Sequence, residues 1–324
     1  MKRFLGAAFS ALMLFAGSAW GQDYPNRSIT WIVGQTPGGT TDTLARIFAA
    51  ALSKELGQEI VVENRPGAGS TVGMQAVAEA EPDGYTLAVP SQSAFAISPL
   101  VIPSVAYDPL EDFEAVYNFA AVPLGLVVNA ELGPKTLEDL VALAKDKPGE
   151  LNYSSGGTGT GSHFAGASFV TYAGIADDVV HIPYQGGSQA SVAAAAGETQ
   201  FYVGPLAGNM MGVIDAKEVI PLAVSGNKRV AALPDVPTFA EAGLPEYKLV
   251  SWYGLAAPAG TPGEVIEKLN STANAVAQTP EVIEALAAQG IEPIQNTPEE
   301  FAEQIKDDVA NFKKLVDDGV VKLE

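Results

Sequence analysis

Four segments of the chain carry polar groups in a spacing that can do chemistry. They are Gly34-Gln35-Thr36-Pro37-Gly38-Gly39-Thr40-Thr41-Asp42, Pro90-Ser91-Gln92-Ser93, Gly156-Gly157-Thr158-Gly159-Thr160-Gly161-Ser162-His163 and Pro183-Tyr184-Gln185-Gly186-Gly187-Ser188. Each follows an apolar run of strand character, and three lead into helical spacing. A helix N-terminus presents unpaired N–H groups and a partial positive charge. Glycine lets a ligand approach that backbone closely. The chemistry expected is anion binding by neutral donors at the carboxyl edge of a sheet. The competing reading is tight turns alone, which also need glycine. The candidate ligand contacts are Gln35, Thr36, Gly38, Gly39, Thr40, Ser91, Ser93, Gly159, Thr160 and Ser162. Asp42 belongs with them either as a ligand contact or as an acid that steadies the helix start. His163, in a first helical turn, can donate to a ligand or make a local hydrogen bond.

Other chemistries lack their marks. There is no G-x-x-x-x-G-K-[ST] loop, and Gly157-x-Gly159-x-x-Ser162 misses the third glycine of the dinucleotide fingerprint. There is no G-x-S-x-G elbow. Cysteine is absent, and His163 and His181 are the two histidines. Neighbours on a helix point in different directions, so Ser162-His163 is not a catalytic pair. Two histidines without H-E-x-x-H spacing argue against zinc. No metal, no cofactor and no catalytic residue is expected. His181, in an apolar strand, reads as packed, and Arg65 reads as a loop organiser.

The chain begins with Lys2 and Arg3, an apolar run and small residues at Ala19-Trp20-Gly21. That is the layout of a secretory signal peptide spanning residues 1–21 and cleaved near Gly21. The run is short for a membrane span, which needs about 20 apolar residues. A periplasmic product is expected. Without cysteine it is held by its core alone, and its length suggests two domains. Removing Lys2 and Arg3 leaves 16 basic against 38 acidic side chains, a net charge of −22. Such a surface repels nucleic acid and anionic membranes. It also repels an anionic ligand at long range, so a carboxylate site must work through short-range hydrogen bonds.

Alternation of apolar runs with helical stretches predicts an α/β chain with mostly parallel sheets. Strands are expected at 29–33, 59–63, 85–89, 124–129, 151–155, 179–182, 200–203, 219–224 and 251–256. Leu44, Ile47, Phe48, Ala51, Leu52 and Leu56 follow helical spacing, with Gly57 as the stop. Thr136, Thr261, Thr279 and Thr297 are expected helix caps. Passage between the domains through strands would form a hinge.

Pro37-Gly38-Gly39-Thr40-Thr41-Asp42, Val61-Val62-Glu63-Asn64-Arg65-Pro66-Gly67-Ala68-Gly69 and Pro82-Asp83-Gly84-Tyr85-Thr86-Leu87 resemble the Bug-type solute-binding proteins of tripartite tricarboxylate transporters. The resemblance continues through Gly159-Thr160-Gly161-Ser162-His163, His181-Ile182-Pro183-Tyr184-Gln185-Gly186-Gly187 and 233–244, and ends with Trp252-Tyr253-Gly254-Leu255 and 257–262. It implies a type II periplasmic binding protein, two α/β domains joined by crossing strands with a ligand cleft between them. Residues 22–121 with 249–324 would form one domain and 122–248 the other. It implies a receptor, not an enzyme, that captures a small organic carboxylate through the first strand–helix loop and loops of both domains. Tyr184, Gly186, Gly187 and Gly204 join the candidate contacts on that basis. The expected partners are the transporter's membrane subunits, and the expected state is a monomer. Two departures bear on ligand choice: Gly34-Gln35-Thr36 precede Pro37 where the family has Pro-Phe-Pro before its Gly-Gly, and Ala193–Ala196 with Gly197–Gly204 stand where it has an acidic, glycine-containing stretch with a Val-Asp pair. A sensor for a two-component system and a hydrolase or lyase on the same scaffold are the alternatives.

Overall fold

The computed structural model describes residues 24–317; the predicted signal peptide lies outside them. The elements in chain order are β1 (Ile29–Val33), α1 (Thr40–Leu56), β2 (Ile60–Asn64), α2 (Thr71–Ala78), β3 (Thr86–Val89), α3 (Ser98–Val101) and β4 (Phe113–Asn129). Then come α4 (Leu137–Asp146), β5 (Leu151–Ser155), α5 (Gly161–Tyr172), β6 (Val179–Pro183), α6 (Gly187–Ala195), β7 (Phe201–Pro205) and α7 (Asn209–Asp215). The chain continues with β8 (Val219–Val224), β9 (Val250–Pro258), α8 (Gly263–Ala277), α9 (Pro280–Ala287) and α10 (Pro298–Asp317).

The strand order is β2-β1-β3-β9-β4-β7-β5-β6, with β8 also on β4. β1 runs parallel to β2 and β3, so Val33 sits beside Asn64 and Val89 at one carboxyl edge. β5 runs parallel to β6 and β7, which aligns Ser155 with Pro183 at a second carboxyl edge. β4 joins the two groups. Its first part pairs antiparallel with β9 from Phe113 to Pro123, and its second part pairs with β7 and β8. The expected strand at 124–129 is thus the second part of a 17-residue strand. Pro123 reads as a break in sequence, since proline cannot donate to a ladder. In the structure it lies at the crossing, and its carbonyl accepts from Leu206 N at 2.9 Å.

Local chemistry accounts for most element ends. α1 stops at Gly57, whose φ of 68° suits a residue without a Cβ. Thr136 and Asp139 form a reciprocal capping box at α4, and Thr297 with Glu300 makes the same exchange before α10. Thr279 caps α9. Thr261 does not cap α8. Pro262 takes the cap position, and the Thr261 hydroxyl donates to the Pro258 carbonyl at 2.7 Å.

Each sheet group has its own core. Phe48 stacks on Phe119 with centroids 4.4 Å apart, and Trp31 on Phe119 at 5.6 Å. In the other half Tyr153, Phe169, Phe201, Phe239 and Tyr247 fill the interior. A smaller cluster of Ala96, Ile97, Phe164, Ala167 and Phe312 straddles the two halves. There Phe312 of α10 meets Phe164 of α5 edge-on at 4.9 Å. Such a pair contributes about 0.5–1.5 kcal/mol beyond its area. No helix among the described residues is long and apolar enough to cross a membrane.

Candidate functional site

The two carboxyl edges face a cleft of about 440 Å³ between the halves, within the range of small-molecule sites. Four helices of eight or more residues begin at its wall: α1 after Gly39, α2 after Ser70, α5 after Thr160 and α6 after Gly186. α1, α2 and α6 have no side-chain cap. Their first-turn N–H groups, which have no intrahelical acceptor in any helix, therefore lack a capping one as well. Each such end stabilises a nearby anion by about 0.3–1 kcal/mol, more when enclosed. None of the lining residues carries a formal charge.

Of the candidates read from sequence, Gln35, Thr36, Gly39, Thr40, Ser93, Thr160, Ser162, Tyr184, Gly186 and Gly187 line the cleft. Gly38, Asp42, Ser91, Gly159, His163 and Gly204 lie behind it. Asp42 organises the first loop. Its carboxylate accepts from Gly38 N at 2.9 Å, from Arg46 Nε at 3.0 Å and from Asn64 Nδ2 at 3.0 Å. Burial pushes this carboxyl up, but the Arg46, Gly38 and Asn64 donors together outweigh it and hold Asp42 below the usual range. Asn64 Nδ2 also donates to the Gln35 carbonyl at 2.9 Å. Arg65 pairs with Glu63 at 2.8 Å on the exterior.

His163 makes the local bond rather than a cleft contact. Its Nδ1 accepts from Gly159 N at 3.2 Å, which leaves the proton on Nε2. Its ring stacks on His181 at 3.9 Å, and His181 Nε2 meets Ser155 Oγ at 2.6 Å. Burial, helped by the neighbouring His181, lowers His163 to about 3, and burial lowers His181 to about 4. The pair is neutral and structural at ordinary pH.

Part of the hydroxyl capacity is already committed. Thr160 Oγ1 donates its proton to the Gly157 carbonyl at 2.6 Å, whereas Ser162 Oγ accepts from Gly156 N at 2.8 Å. Ser91 and Ser93 share a bond at 3.0 Å, which commits one of their two protons. Further donors come from other side chains. The Gln35 oxygen accepts from Thr41 Oγ1 at 2.8 Å, so the Gln35 amide NH2 is what remains to offer. Ser188 Oγ is buried at the cleft wall with no partner among the described residues, and such groups call for an explanation.

The cleft also has residues absent from the sequence-based candidates. The 66–70 loop lines it with strained backbone: Ala68 and Ser70 have φ of 43° and 81°. Tyr202 lines it because Gly204, two residues on along β7, leaves the space that its phenol covers. The signal was the Tyr202-x-Gly204 pair, since residues two apart share a strand face. Gln92, Ser251, Tyr253 and Phe312 complete the wall near the crossing strands. Gln92 Nε2 donates to Asp308 at 2.9 Å and Trp252 Nε1 to the same oxygen at 2.6 Å.

Two α/β sheet groups that share crossing strands and enclose a cleft of helix N-termini define a periplasmic-binding-protein fold. Residues 44–320 match the model described as tripartite tricarboxylate transporter family receptor, and the chain belongs to that family. It is similar to the protein BugT of Bordetella pertussis, with 36% identity over 93% of this chain and 92% of the relative. Rhodopseudomonas palustris Rpa4515, solved with adipate, shares 34% identity and a TM-score of 0.87 over 91% of this chain and 98% of its own. MatC from the same organism, solved with bound malate, shares 29% identity and a TM-score of 0.85 over 90% and 100%.

Proposed function

We propose that this protein is a periplasmic receptor that captures a small organic carboxylate and delivers it to the membrane subunits of a tripartite tricarboxylate transporter. The observation that carries this reading is an uncharged cleft ringed by four helix N-termini, with open donors at Gln35 and Ser188. Hydrogen bonds to a charged acceptor contribute about 1.5–3 kcal/mol each. Three or four of them, with the helix ends, offset association costs and reach micromolar affinity, about −8 kcal/mol. The adipate and malate in the two related structures support a carboxylate as ligand. The function proposed is binding, not catalysis, in a monomer exported by cleavage near Gly21.

Residues 22–121 with 249–324 would form one domain and 122–248 the other, closing about β4 and β9. Ser98 supports this, since its hydroxyl lies 3.1 Å from both the Gly69 and Gly159 carbonyls, one in each proposed domain. Titration calorimetry against mono- and dicarboxylates at 50 and 300 mM salt tests the reading. Micromolar binding with small salt dependence is expected, because screening acts mainly on exposed charges. Failure of every carboxylate to bind would falsify it.

A further inference from the structure

Two glutamines of the cleft, Gln35 and Gln92, are turned opposite ways by what holds them. Gln35 spends its oxygen on Thr41 and keeps its NH2 open. Gln92 spends its NH2 on Asp308 Oδ2, the oxygen that also takes the Trp252 indole N–H. Oδ2 receives two donors, so it is an acceptor whatever the state of Oδ1. The Gln92 amide cannot flip without setting oxygen against oxygen. Asp308 and Trp252 line a second cavity behind the cleft, and Gln92 borders both. The Gln92 oxygen is on the opposite branch from the nitrogen that meets Asp308. Among the described residues it has no hydrogen-bond partner, and it is not sealed from solvent-sized space.

An open amide oxygen is of no use to a carboxylate, which has only acceptors of its own. It suits a ligand hydroxyl. We infer that Gln92, oriented by Asp308, is a specificity-determining residue that presents its amide oxygen to the ligand, so the cleft takes a carboxylate that also carries a hydroxyl donor. The inference rests on the carboxylate reading above. It gives the cleft a polarity, with donors around Gln35 and an acceptor at Gln92.

Calorimetry on three matched pairs tests it: succinate and malate, glutarate and 2-hydroxyglutarate, butyrate and 4-hydroxybutyrate. In the unaltered protein at least one hydroxylated member should bind about tenfold or more tightly than its parent acid, the worth of one hydrogen bond. Asp308→Asn is not informative, since one amide oxygen can still accept from both Trp252 and Gln92. Asp308→Leu removes the acceptor, so the Gln92 amide is free to turn either edge to the cleft. The hydroxyl preference should shrink or vanish while the parent acid still binds. A merely structural Asp308 would weaken both members by the same factor. Gln92→Met leaves the Asp308–Trp252 bond in place and should also abolish the preference, which decides the matter if Asp308→Leu does not fold. Equal affinities in all three pairs, or an undiminished preference in either variant that folds, overturn the role of Gln92 alone. Absence of binding by every acid in the panel overturns the carboxylate reading and this inference with it.

Discussion

Gly161 and Ser93 face each other across the cleft so closely that a methyl group on Gly161 would lie 3.0 Å from Ser93 Cβ. Gly161 opens α5, where alanine is a better helix residue than glycine. Gly161→Ala should therefore leave the unfolding midpoint unchanged or slightly raised. Closure should suffer, since overpacking costs about 1–3 kcal/mol. We expect the dissociation constant of a bound carboxylate to rise about tenfold or more by calorimetry. Unchanged affinity would show that the halves do not need this approach to hold ligand.

Asp42 should matter to stability through the loop it holds. Its bonds to Gly38, Arg46 and Asn64 are charge-assisted, and its side chain is only 5% exposed. Asp42→Ala should lower the unfolding free energy by about 2–4 kcal/mol in urea titration. Affinity should fall as well, because the Gln35–Gly39 loop loses its anchor. A variant as stable as the parent would refute the organising role.

The histidine pair makes a prediction about acid. Both folded values lie below the unfolded value of about 6.5, so the folded state binds fewer protons than the unfolded state as pH drops below that point. The stability they contribute is fully present above pH 6.5 and is lost progressively as pH falls through about 4 and 3. His163, the more enclosed of the two, sets a slope of up to about 1.4 kcal/mol per pH unit; His181 adds a smaller share because solvent screens it. His163→Asn keeps an acceptor for Gly159 N and cannot titrate. Its melting temperature should fall less steeply than that of the parent between pH 6.5 and 4.5. Parallel curves would mean that the ring is not buried neutral.

Gln35 and Ser188 are open donors of the cleft, and exposed arginines are not part of the site. Gln35→Leu and Ser188→Ala should each weaken carboxylate binding about tenfold. Replacing Arg229, which pairs with Glu241 at 2.9 Å outside the cleft, should change it little. Titration of the three variants in one buffer checks this. Dependence on Arg229 above that on Gln35 would indicate a charge clamp instead.

Much of the frame was legible in short stretches. The strand at Ile29–Val33 and the helix from Thr40 to Leu56 follow their apolar spacing, and Gly57 ends the helix as its type predicts. The glycine-rich turns were legible as well, because helix starts at strand ends depend on neighbours a few residues away. Crossing strand β4 was only half legible. Pro123 interrupts its pattern, and the pairing that overrides the break comes from Val250 in β9. Thr261 shows the same limit on a smaller scale, since Pro262 and not Thr261 takes the cap position of α8 in the folded chain.

Residue type and spacing alone determined the α/β class, the placing of polar loops after strands, and the absence of basic groups from those loops. These are properties of periodicity and composition, which a chain carries before it folds. Tertiary structure decided which donors remain available. Thr160 and Ser162 have spent hydrogen-bonding capacity on their own loop, and Asp42 and His163 have turned inward. Tyr202 reaches the cleft over Gly204, and Gln92 is oriented by an aspartate 216 residues away. A hydroxyl has one proton and an amide two distinct edges. Which way each is used depends on partners that only packing brings within about 3 Å.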